Sequence, residues 1–202
     1  MWKQDTCASR SFGDGAGHIE TGARVVNMQK FMVLGAVLWS MVFSSSALAQ
    51  AKSTKKVAEE KDWSVFVDAN PKECWAVSQP QETLNTLNGK VVPALRGGIL
   101  LFVFFRPGDG LSGQITFTGG YPFAKKAVKI DIDGTEYSLP TIDDRWAWAV
   151  SNEDDKKILD AMKKGGKAKI TGRSTRGKTT IDTFSLQGLT AAVAEARKRC
   201  SG

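Results

Sequence analysis

Between Gly97-Gly98 and Pro107-Gly108 the chain carries an unbroken apolar run, Ile99-Leu100-Leu101-Phe102-Val103-Phe104-Phe105. The run is too short for a helix and rich in aromatic and β-branched types, so it reads as a central buried strand. Shorter segments with a strand period lie on either side. Trp63, Val65 and Val67 alternate with Ser64 and Phe66, and Cys74-Trp75-Ala76-Val77-Ser78 follows an Asn70-Pro71 turn. Gln114 to Thr118 is closed by Gly119-Gly120-Tyr121-Pro122. Residues 80–97 hold two prolines and two glycines without a persistent period and read as a long connection.

Two hairpins follow. Val128 to Ile132 and Thr135 to Leu139 flank Asp133-Gly134, the preferred two-residue type I′ turn, which sets Ile132 opposite Thr135, Ile130 opposite Tyr137 and Val128 opposite Leu139. One face of that hairpin is apolar and the other charged, which supports the register. The second runs from Lys167 to Leu186 around Ser174-Thr175-Arg176-Gly177; a four-residue loop pairs Ile170 with Ile181 and Lys169 with Asp182. Arg145 to Val150 reads as a strand with Trp146 and Trp148 on one face.

Helix signals occur twice. Ser151 is an N-cap with Asp154 three residues on, acids fill the first turn, Ile158, Leu159 and Met162 share a side, and Lys163-Lys164-Gly165 closes the segment. Gly188 precedes Leu189 to Arg199, whose alanines and Val193 can lie on a sheet while Arg197, Lys198 and Arg199 favour a helix C-terminus. Seven to nine short strands with one helix between them and one at the end predict an all-β sandwich.

Met28-Gln29-Lys30, the apolar stretch Phe31 to Phe43 and Ala47-Leu48-Ala49 have the order of a signal peptide, residues 28–49, cleaved after Ala49. Residues 1–27 read as an extension from a mis-chosen start codon. The apolar stretch is short of the roughly 20 residues a spanning helix needs, and the mature chain is expected to have no transmembrane segment. Residues 50–61 are charged without an apolar face and are expected as a flexible tail; the domain then spans 62–200.

Cleavage removes four of 28 basic and three of 21 acidic residues and leaves a net charge of +6. Exported, such a chain is not expected to meet nucleic acid; its scattered bases read first as a generic soluble surface, with an anionic envelope component as the alternative partner. Cys7 and His18, the sole histidine, fall in the discarded part, leaving Cys74 and Cys200. An even pair bound for an oxidising compartment predicts a Cys74–Cys200 disulfide, and two thiols without histidine do not make a zinc site. With no histidine and no free thiol, the common general bases and nucleophiles are missing, so the chain reads as non-enzymatic, with no catalytic residue, metal or cofactor assigned. Asp131, Asp133 and Gly134 hold part of a calcium-loop pattern, but position 129 is Lys and no Glu closes the loop, so they read as a hairpin turn.

Two groups are candidates for contact. Arg173, Arg176 and Lys178 crowd one hairpin tip with Ser174, Thr175 and Gly177, a composition that can accept a phosphate or carboxylate and that turn chemistry also explains. Trp146 and Trp148 can form an aromatic platform, although alternating aromatics on a strand are first read as core.

The segment Ser174 to Ala192, which contains Thr183-Phe184-Ser185-Leu186-Gln187-Gly188, is followed by an Ala-rich helix and Cys200. Together with Gly119-Gly120-Tyr121-Pro122-Phe123 and Trp146-Ala147-Trp148, it resembles the invasion-associated locus B family over residues 62–200. Better-known members carry a further central cysteine pair where this chain has tryptophans, as in a divergent branch. The resemblance implies an immunoglobulin-like β-sandwich in a secreted or envelope protein, and supplies no catalytic residues. The expected function is an exported interaction module, periplasmic or attached to the outer envelope, that binds a protein or an anionic envelope component. A surface-exposed adhesin or invasion factor contacting host cells is the second class, and a small hydrolase lacking His the third.

Overall fold

The computed structural model describes residues 54–201. The expected extension (1–27), the signal peptide (28–49) and the first residues of the expected tail (50–53) lie outside the described residues. Thirteen strands and two helices follow in order: β1 (Lys55–Glu60), β2 (Trp63–Ala69), β3 (Lys72–Ser78), β4 (Glu82–Leu87), β5 (Lys90–Val91), β6 (Leu100–Arg106), β7 (Leu111–Thr118), β8 (Val128–Ile132), β9 (Thr135–Leu139), β10 (Thr141–Asp143), β11 (Trp146–Trp148), α1 (Asn152–Lys164), β12 (Lys167–Arg173), β13 (Thr179–Ser185) and α2 (Leu189–Ser201). The first sheet has seven strands in the order β1-β2-β3-β6-β7-β11-β10, and the second has six in the order β5-β4-β13-β12-β8-β9. This is the all-β sandwich with one helix between strands and one at the end that the short alternating segments predict.

The two sheets share one core. Phe117 of β7 meets Phe184 of β13 edge to face at 6.1 Å, and Trp63 of β2 donates its indole N–H to the Ser185 carbonyl at 3.0 Å. Both helices join that core: α1 packs on β7 through Ile158, Leu159 and Met162, and α2 crosses β1, β2, β3 and β6 through Leu189, Ala192, Val193 and Ala196. Cys200 in the last turn of α2 is disulfide-bonded to Cys74 of β3, with Cα atoms 5.8 Å apart.

Local signals hold where the physics is local. The β8–β9 hairpin has the expected register, with Asp133 and Gly134 both at positive φ as a type I′ turn requires. The Ser151 Oγ accepts the Asp154 N–H at 3.1 Å and caps α1. The calcium-like carboxylates serve backbone instead: Asp131 Oδ1 accepts the Gly134 N–H at 3.2 Å, and Asp133 Oδ2 accepts the Gly166 N–H at 2.9 Å.

Three expectations are corrected. Residues 55–60 of the expected tail form edge strand β1, paired with β2; its charges belong to an edge that must stay soluble. The 80–97 connection contains the β4–β5 hairpin around Asn88-Gly89, both at positive φ. The second tight hairpin is one residue out of its expected register: Ile170 lies opposite Asp182 and Lys169 opposite Thr183, because the loop holds residues 174–178 rather than four residues.

Candidate functional site

Side chains alternate across a strand, so the residues of the first sheet that miss the core project from its outer face. Backbone pairing places Phe66 of β2 beside Trp75 of β3, and Trp75 beside Phe104 of β6. Phe66 and Trp75 stack with centroids 5.9 Å apart, Trp75 and Phe104 stand at 5.8 Å, Phe104 and Phe102 at 5.0 Å, and Phe102 and Trp146 at 5.8 Å. The result is an unbroken row of rings on the side of the sheet opposite both helices and the second sheet. Phe66, Trp75, Phe104 and Trp146 are half-buried, and Phe102, flanked by Phe104 and Trp146, is 8% exposed.

A groove of about 560 Å³ runs along one end of this row, floored by Ser64, Phe66, Trp75, Val77, Leu100 and Phe102. The exposed Glu59, Lys61, Asp62, Gln79 and Gln81 also line it, so an apolar floor is edged by charges of both signs. Contiguous apolar surface with a polar rim is the pattern of a contact surface.

The Trp146 and Trp148 expectation needs a correction here. Ala147 lies opposite buried Phe117 and takes the core position with 0% exposure, while both tryptophans point to the outer face and are half-buried. Phe117 and its neighbours already fill the sandwich at that point, and the small residue is the one that fits inside.

A second concave site lies where Gly119-Gly120-Tyr121-Pro122 meets the β12–β13 loop. Asp182, 0% exposed, faces inward on β13 and is clamped by Arg96: Nη1 donates to Oδ1 at 2.7 Å and Nη2 to Oδ2 at 2.6 Å. The Arg96 Nε donates to the Gly119 carbonyl at 2.9 Å, and the guanidinium lies 5.1 Å from the Tyr121 ring centre. A bidentate pair whose cation also donates to a backbone carbonyl and to Asn85 Oδ1 is an arrangement in which two buried charges are tolerated. The Tyr121 hydroxyl shares a 2.6 Å hydrogen bond with Thr180 Oγ1, and burial pushes its phenol above the ordinary value. Gly120, at φ +74, lets this segment touch Gly97 backbone to backbone: a Cβ there would sit 2.6 Å from the Gly97 carbonyl oxygen, and the Gly97 N–H donates to the Gly120 carbonyl at 3.0 Å.

Over this clamp opens a pocket of about 350 Å³ whose lining includes Arg96, Tyr121, Arg145, Thr175, Arg176 and Lys178. Of the expected anion-binding group, Arg176 and Lys178 line it together with Arg145, which the sequence pattern did not single out. Arg173 does not line it; it is exposed on β12, at the strand parity opposite buried Gly172. Arg96 was hidden in the supposed connection, and its only sequence signal is a lone Arg beside Gly97-Gly98.

Residues 120–197 match the family model described as "Invasion associated locus B (IalB) protein". The matched segment covers the C-terminal part of the 62–200 resemblance and includes Tyr121, Arg145, Trp146, Arg176, Lys178 and Asp182. No curated protein and no solved structure matches the chain.

Proposed function

We propose, from the similarity of residues 120–197 to the invasion associated locus B family, that the chain is an exported, envelope-associated interaction module of that family. It acts without catalysis and holds a protein partner on the outer aromatic face of its first sheet. The observation that carries this reading is the row Phe66, Trp75, Phe104, Phe102 and Trp146. A solvated sheet face alternates toward polar residues, and aromatic side chains are the residues that protein interfaces concentrate at their centres. The rings pack on one another as a continuous strip, which suits the apolar side chains of a second protein, and the charged edge gives that partner polar contacts at the rim. Export is supported by the signal-peptide pattern of residues 28–49 and agrees with the Cys74–Cys200 disulfide. Among the described residues no helix is long and apolar enough to cross a membrane.

The test places a photo-crosslinking amino acid at position 66 in the groove, and at exposed position 153 on α1 as the control, in living cells. A discrete protein adduct from position 66 alone is the expected result. Equal adducts from both positions, or none from position 66, would remove the aromatic face as the contact surface. Protease added to intact cells then separates the two locations: digestion with a periplasmic marker spared indicates the host-facing adhesin class, and protection indicates a periplasmic module.

A further inference from the structure

Independently of the aromatic face, we propose that the pocket above the Arg96–Asp182 clamp is a binding site for a phosphomonoester, held by Arg145, Arg176 and Lys178. The three side chains come from two separate segments, the turn between β10 and β11 and the loop between β12 and β13, and converge on one concavity of about 350 Å³. None of the three is ion-paired with a carboxylate among the described residues, whereas Lys56, Arg106, Lys129, Lys156, Lys157 and Arg199 all are. No Asp or Glu lines this pocket, so the charge of its three unpaired cations is not offset within it. Arg96, the fourth cation of the lining, is neutralised by Asp182 and forms the wall rather than a ligand.

The loop that carries Arg176 and Lys178 is built before any ligand arrives. The Ser174 carbonyl accepts the Gly177 N–H at 2.9 Å, Ser174 Oγ accepts the Lys178 N–H at 3.1 Å, and the Thr175 N–H reaches the Pro122 carbonyl at 3.0 Å. Such a loop loses little further freedom on binding. Two guanidinium forks and an ammonium match three phosphate oxygens, and a phosphomonoester with nearly two negative charges answers three cations better than a carboxylate does. Lys178 Nζ now donates to the Pro93 carbonyl at 3.3 Å, which leaves it further protons to offer. The pocket is larger than phosphate alone, and the exposed Thr175 hydroxyl can meet the body of the ester.

The mature chain is titrated calorimetrically at constant ionic strength with inorganic phosphate and with glucose 6-phosphate. It is also sedimented with phosphatidylcholine vesicles with and without phosphatidic acid. Saturable binding of a soluble phosphate, or of the phosphatidic acid vesicles only, sustains the proposal; the first assigns a free ester and the second a lipid headgroup. Binding should weaken roughly tenfold in R176Q and again in R145Q, both exposed positions that leave the fold intact, and should be unchanged in R173Q. No binding by either probe overturns the proposal, and so does equal weakening by R173Q, which would indicate diffuse surface charge.

Discussion

Asp155 lies in the first turn of α1 with 5% exposure, its Oδ1 accepting the Ile115 N–H at 2.7 Å. Burial raises its carboxyl from the ordinary 3.8 to about 6, against the pull of that N–H. Because the folded chain holds this proton more tightly than the unfolded one, the group's contribution to stability is fully present below about pH 3.8 and is lost as pH rises through about 6. Asp155→Asn keeps an acceptor for Ile115 without the charge. Relative to the variant, the natural protein should lose about 2–3 kcal/mol of unfolding free energy between pH 4 and pH 7.5, read by urea melts at both values. Parallel pH profiles for the two proteins would show that the carboxyl ionises freely in the fold.

Edge strand β1 depends on a glycine far from it in sequence. Gly188, at φ +91 just before α2, lies so close that a Cβ there would collide with the Glu60 carbonyl, and the neighbouring Gln187 carbonyl accepts the Asp62 N–H at 3.4 Å. Gly188→Ala should cost about 2–3 kcal/mol and speed hydrogen exchange at residues 55–60 before the rest of the first sheet. Uniform acceleration would mean that β1 is not separately seated. That strand escaped the sequence reading because its exposed Lys55, Lys56 and Glu59 hide its pairing. The β4 strand escaped for a different reason: Asn85 turns inward toward Arg96 while Leu84 is 39% exposed, so the apolar period is inverted around a buried charge pair. By contrast the Asp133-Gly134 hairpin and the Ser151 cap were legible, since each is decided within a few residues. The pocket above the Arg96–Asp182 clamp was half legible: Arg176 and Lys178 share a loop, but Arg145 joins them only through the folding of the sheets. Which face of β11 is core could not be read locally, because Phe117 opposite Ala147 decides it.

At the scale of the molecule, one covalent link closes the domain. Cys74 and Cys200 are separated by 126 positions, and the bridge joins β3 to the last turn of α2. Replacing both by Ser should lower unfolding free energy by about 2–5 kcal/mol, measured in denaturant against the oxidised parent. An unchanged midpoint would mean that the packing of α2 alone holds the end of the chain. The same link also sets how the domain bears mechanical load. Tension applied between its N-terminal end and its C-terminus enters at β1 and passes through the sulfur bridge to α2, by-passing every strand from β4 to β13. Only the short stretch ahead of Cys74 can be drawn out, roughly 70 Å at full extension. A domain tethered at one end and gripped at the other would yield by that length and then stop, with the pocket and most of the aromatic row still folded.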